Sequence, residues 1–170
     1  PFYPTRGQRG SLTSQFAGGP LQGDFSYNQT RLDTRWYRAS VMKEAAHMLR
    51  LRLGGVGAYQ KGDSIPVYER FRLGGITQDG LRGYDDYSIV PKENDTFPRY
   101  APGSSVTPGS FSRIRTPYPG GRFMGILTLE EQFPLVHPVH AVVFAEAGNV
   151  WNRLSDVRPL DLRRSVGFGL

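Results

Sequence analysis

Apolar and polar positions alternate with a period of two along most of the chain, as expected of strands whose two sides meet different surroundings. The alternation is plainest over 26–37, where Leu32, Thr34 and Trp36 share one side and Arg31, Asp33 and Arg35 the other. Residues 45–59 repeat it, with Leu49, Leu51 and Leu53 beside Gly55 and Gly57, opposite Met48, Arg50 and Arg52. A helix competes over 41–53, since Met, Glu, Ala and Leu are good helix formers. The Arg-Leu-Arg-Leu order and the glycines after it favour a strand. Over 123–133, Phe123, Gly125, Leu127 and Leu129 oppose Met124, Ile126, Thr128 and Glu130; over 139–151, Val143 and Ala145 oppose Phe144 and Glu146. Strands are also predicted over 11–18, 67–75 and 162–170, which makes six or seven.

The connections differ in length. Turns are predicted over 62–66 and 134–138, and glycine- or proline-marked loops over 18–24 and 152–159. The region 79–122 has no period and is rich in Pro, Gly, Ser and Tyr. A loop near 40 residues is far outside the common range, so it is either functional or disordered. Its aromatics (Tyr84, Tyr87, Phe97, Tyr100, Phe111, Tyr118) and arginines (Arg82, Arg99, Arg113, Arg115) argue against plain disorder.

Composition narrows the class only a little. Apolar residues are 38%, low for a self-contained soluble core, and 21 glycines and 13 prolines among 170 residues favour turns over long helices. The net charge is +6, but the 21 basic residues are dispersed through alternating segments, so no nucleic-acid partner is expected. Without cysteine there is no disulfide framework or thiolate metal site, and His47, His137 and His140 lack a zinc spacing, so no cofactor is expected. No stretch reaches the roughly 18–20 apolar residues of a membrane-spanning helix. Pro1-Phe2-Tyr3-Pro4 and Gly167-Phe168-Gly169-Leu170 both read as interior sequence, so the chain is expected to be a piece of a longer protein. Long strands joined alternately by short turns and long loops suit a transmembrane barrel, with leucines to lipid and arginines to a wet interior. A soluble antiparallel sandwich shows the same alternation.

Four blocks separate the two readings. Pro66-Val67-Tyr68-Glu69-Arg70-Phe71-Arg72-Leu73-Gly74-Gly75, followed by Leu81-Arg82-Gly83-Tyr84, resembles the strand and loop of BamA-family barrels, where a Phe–Gly-Gly segment leads to Val-Arg-Gly-Phe/Tyr. Gly120-Gly121-Arg122-Phe123 through Leu129-Glu130 is similar to that family's returning strand. Val143-Phe144-Ala145-Glu146-Ala147-Gly148-Asn149-Val150-Trp151 resembles its Phe-Asp-x-Gly-x-Val-Trp strand end, and Phe2-Tyr3-Pro4-Thr5-Arg6-Gly7 its Phe-Pro-Thr-x-Gly turn. Each block alone is unspecific, but the four stand in family order along essentially the whole chain.

The resemblance, to the C-terminal barrel of the bacterial surface antigen superfamily, implies an all-β fold. The chain is expected to be part of an antiparallel transmembrane β-barrel, six to seven strands of sixteen, in the outer membrane of a Gram-negative bacterium. Residues 1–170 then form one partial barrel domain with a lumen-inserted loop over about 79–122. The periplasmic POTRA domains and the first and last barrel strands lie outside it. The implied role is assembly: folding and inserting β-barrel clients, among outer-membrane lipids and accessory lipoproteins of the assembly complex. A two-partner-secretion translocation pore of the same superfamily is the alternative. The resemblance also implies that Arg82, in the loop motif Leu81, Arg82, Gly83 and Tyr84, meets acids on the inner barrel wall. By position these are Glu130 first and Glu146 second. The family's usual residue at position 146 is Asp, so the longer glutamate here shifts the reach. Parity independently puts both acids on the more polar side. No enzyme is expected: there is no nucleophile motif or phosphate loop, and the neighbours Glu130 and Glu131 point to opposite faces.

Overall fold

A computed structural model describes residues 4–19, 24–42, 44–59, 65–76, 79–92, 120–136, 139–158 and 160–170. Six strands are formed: β1 (Gly7–Ala17), β2 (Tyr27–Ala39), β3 (Ala46–Ala58), β4 (Phe123–Val136), β5 (Val139–Trp151) and β6 (Arg163–Gly169). They make one sheet in the order β1-β2-β3-β4-β5-β6, each antiparallel to the next, an up-and-down meander. The competing helix over 41–53 is absent, since 46–58 is strand throughout.

The connections alternate as the sequence predicts. Chain reversals between β2 and β3 and between β4 and β5 are short, while β1–β2, β3–β4 and β5–β6 are joined at the opposite end by longer segments. Glu44, at φ 62, turns the β2–β3 connection, which Ser40 N–H closes on the Ala45 carbonyl at 2.9 Å. The turn expected over 134–138 is tighter than that: β4 continues to Val136, with a register shift between Pro134 and Val136 where proline cannot donate to the ladder.

The strand expected over 67–75 does not form. Val67–Glu69 is a single 3-10 turn, and beyond it lie two isolated bridges, Phe71 with Gly121 and Leu73 with Ile89. The apolar alternation there has another cause: Phe71 and Leu73 both point down onto the sheet, at 1% and 0% exposure. Of the long region 79–122, residues 79–92 and 120–122 are described and fold back across the same side. Phe97, Arg99, Tyr100, Phe111, Arg113, Arg115 and Tyr118 lie outside the described residues, as do the 62–64 part of the expected turn, His137 and Phe2-Tyr3.

Parity sorts the sheet into two unlike faces. One carries Leu32, Leu49, Leu51, Leu53, Leu127 and Leu129, paired across strands as Leu32↔Leu53, Leu49↔Leu129 and Leu51↔Leu127. Nothing covers these leucines among the described residues, and Leu129 is 53% exposed. The other face carries the arginines and acids, and here the core sits. Tyr27, Val56, Met124, Ile126 and Val150 of the strands pack against Ile65, Phe71, Leu73, Leu81 and Ile89 of the returning segment. Gly54 makes room for it, since a Cβ there would lie 2.7 Å from the Phe71 ring. A sandwich buries its apolar face against a second sheet. This sheet buries its polar face under its own connection and leaves the leucines bare.

Candidate functional site

Residues 79–84 run across the strands and tie to five of them in turn. Asp79 accepts a hydrogen bond from Arg31 of β2 at 2.5 Å. The Gly80 carbonyl accepts from Arg52 of β3 at 3.1 Å. Arg82 Nη2 donates to Glu130 Oε1 of β4 at 2.6 Å and to Glu146 Oε1 of β5 at 2.8 Å. The Tyr84 hydroxyl donates to the Arg164 carbonyl of β6 at 2.9 Å and lies 3.1 Å from the Arg164 N–H, from which it accepts. Five strands about 4.8 Å apart span roughly 19 Å, and six extended residues reach about 20 Å, so one short segment suffices.

Each residue of the motif has a separate local reason to be there. Leu81, fully buried, drives the segment onto the core. Gly83 turns the chain at φ +85, a region costly for residues with a Cβ. The Tyr84 carbonyl accepts from Gly75 N–H at 2.8 Å, which closes the approach on itself. Gly74 (φ +118) and Gly75 (φ +75) allow this; a Cβ on Gly74 would stand 2.1 Å from the Asp85 carbonyl oxygen.

Arg82 occupies the centre. Its guanidinium carbon sits 3.5 Å from the centre of the Phe144 ring, so it is stacked on one side and bonded to carboxylates at its edge. Gly167, opposite Phe144 on β6, leaves that ring its place, since a Cβ there would meet it at 2.5 Å. Glu146 also accepts the Arg82 backbone N–H at 2.9 Å and the Thr128 hydroxyl at 3.1 Å. Its side chain is 3% exposed and that of Glu130 13%, against 32% for Arg82. Partial burial opposes the Arg82 charge, but its hydrogen bonds to Glu146 and Glu130 outweigh this and hold its pKa above the ordinary value.

The structure therefore brings Leu81, Arg82, Gly83 and Tyr84 together with Glu130 and Glu146. Both expected acids lie against Arg82, Glu130 at 2.6 Å and Glu146 at 2.8 Å. Glu146 accepts three hydrogen bonds, two from the guanidinium and main chain of Arg82 and one from Thr128, and Glu130 accepts one from the guanidinium. Sequence reasoning missed Asp79, Gly80, Thr128 and Phe144. Parity placed Thr128 and Phe144 on the correct face, and nothing local marked them as partners. Glu131, on the opposite face from Glu130, pairs with His47. No group of three His, Asp or Glu side chains able to hold a metal occurs among the described residues.

Residues 1–170 match the Omp85 superfamily domain. The chain belongs to the Omp85 superfamily. This Omp85 chain is 33% identical over 93 residues to the outer membrane protein assembly factor BamA of Nitratidesulfovibrio vulgaris. The match covers 55% of the chain and 11% of that relative's length. Membership agrees with the six-stranded antiparallel sheet and points to the bacterial outer membrane. No described helix is long and apolar enough to cross a membrane, which says nothing of crossing by strands.

Proposed function

We propose that this Omp85 chain is part of the wall of a sixteen-strand outer-membrane barrel that folds and inserts other β-barrel proteins. In this reading the leucine face meets lipid and the arginine face meets the lumen. Residues 65–92 are then the loop folded into the lumen, and Arg82 is its anchor. The observation that carries the reading is the joint hold of Glu130, Glu146 and Phe144 on Arg82. One guanidinium cross-links a connection to two adjacent wall strands, which resists shear between them. Likeness to a named assembly factor favours assembly over secretion of a partner through the pore. The clients are β-strands awaiting neighbours, which an exposed strand edge can receive by augmentation. Accessory lipoproteins belong to the same proposal, and the role needs no covalent chemistry.

Replacing Arg82 tests the anchor. Removal leaves Glu130 without its cation and Glu146 with Arg52 alone, at 4.0 Å, which costs about 2–4 kcal/mol given that Arg82 is itself a third exposed. Arg82→Lys keeps the charge and loses the forked geometry and the flat stack on Phe144, so it should be intermediate. The full-length variants are expected to lower the melting point of the folded band on gels and to slow insertion of a client barrel in a depletion strain. Normal melting and full complementation by Arg82→Ala sink the anchor.

A further inference from the structure

At the short-turn end the leucine face changes character. Its apolar rows stop at Trp36 and Leu49, and two residues further along the same strands Arg38 faces His47 and His47 faces Glu131. The side chains part here around an open cleft of about 590 Å³, bordered by Gly7, Gln8, Trp36, Arg38, His47 and Leu49. The volume falls within the range of sites that hold small organic molecules.

Charge on this rim is unevenly matched. Glu131 is engaged by His47. Arg38 is exposed and has no ion pair or hydrogen bond among the described residues, and Arg6, just before β1 at the same end, has none either. Glu44, in the β2–β3 turn, pairs with neither arginine. The cleft thus sets an unpaired guanidinium beside an indole and a leucine, at the boundary where an apolar band gives way to charge.

We propose that this cleft binds an anionic phospholipid, with Arg38 on its phosphate and Trp36 and Leu49 along the first carbons of an acyl chain. The inference rests on the barrel reading above. Arginine's fork suits phosphate oxygens, and tryptophan favours the depth at which lipid changes from polar to apolar. A soluble anion has no use for the Trp36–Leu49 wall, and a purely apolar ligand has none for Arg38.

The test uses full-length protein in phosphatidylcholine vesicles holding a small fraction of phosphatidylglycerol with a photoreactive acyl chain. Labelled peptides are identified by mass spectrometry after illumination. The label should concentrate between residues 36 and 49 and fall about fivefold in Arg38→Ala and Arg38→Gln, the loss expected for one cation at a membrane surface. Arg38→Lys should keep most of it. Unlabelled phosphatidylglycerol should displace it, and inorganic phosphate at the same concentration should not. Equal labelling of wild type and both neutral variants, each shown folded by gel mobility, overturns the site. Displacement by inorganic phosphate makes it a small-anion site and overturns the lipid assignment. Label spread evenly over Leu127, Leu129 and Val143 means boundary lipid only and also overturns it. Label absent from every one of these positions overturns the barrel reading itself, a separable failure.

Discussion

Glu146 shows how one methylene changes a contact. Its two oxygens reach different parts of one residue, the Arg82 main chain and its guanidinium, while Thr128 steadies the nearer oxygen. Aspartate, the residue the family resemblance expects at this position, is shorter and cannot hold both at the present strand position. Glu146→Asp in the full-length protein is therefore expected to destabilise by about 1.5–3 kcal/mol, the worth of one hydrogen bond to a charged group. A melting series of wild type, Glu146→Asp and Glu146→Gln reads it, and an aspartate variant as stable as wild type contradicts it. A weaker tie lies at the other end of the segment, where Lys92 bonds Asp161 at 2.6 Å. That hydrogen bond, slightly opposed by desolvation and helped by the charges of Lys92, Arg163 and Arg158, holds the Asp161 pKa below its ordinary 3.8. A depressed carboxyl stabilises the fold above its unfolded pKa and loses that contribution as pH falls through the folded one. Both partners are exposed, so the effect is small and salt-sensitive. Amide protection over 89–92, measured against the intrinsic exchange rate at each pH, should fall below pH 3.8 in wild type and show no such step in Asp161→Asn.

The strands were legible in the sequence, and the returning segment was legible only in part, for a physical reason. A strand's alternation is local: Leu49, Leu51 and Leu53 mark β3 whatever lies beside it. The segment 65–92 takes its order from partners far along the chain, such as Arg31 for Asp79 and Glu146 for Arg82, and no local period reports them. Phe71 and Leu73 imitated a strand because two residues bridging to different neighbours also alternate. Parity found the side on which Glu130 and Glu146 lie, and the family resemblance supplied Arg82. Neither could find Gly54, whose importance is the space it leaves for Phe71. Gly54→Ala places a Cβ 2.7–2.8 Å from Phe71 and Met124 and should lift the segment from the sheet while leaving the ladder intact. Trypsin should then cut faster after Arg70 and Arg72 in the full-length protein, with no loss of strand content by circular dichroism. Unchanged cleavage places the docking energy elsewhere, in the polar ties of 79–84.

At the scale of the whole molecule the question is which medium the leucine face meets. In water an exposed leucine is a cheap place for a charge, because nothing packs on it and the arginine head is solvated. In a bilayer the same position costs about 2–4 kcal/mol near the midplane and about 0–1 near the interface. The sheet offers both depths on one strand. Leu127 is 42% exposed and pairs with Leu51 within the apolar band, whereas Glu131, four residues on, already carries charge at its edge. Thr128, between them in depth, faces the other way and is buried at the Arg82 site, so it makes a poor control. Ser11 of β1 is better, being exposed on the polar face opposite Asp33. Three full-length variants then separate the media: Leu127→Arg, Glu131→Arg and Ser11→Arg. A barrel wall predicts a steep loss of folding into vesicles for the first, a slight one for the second and almost none for the third. A sheet in water predicts that Leu127→Arg folds as well as Ser11→Arg, and that result would retire the membrane reading together with the lipid cleft built on it.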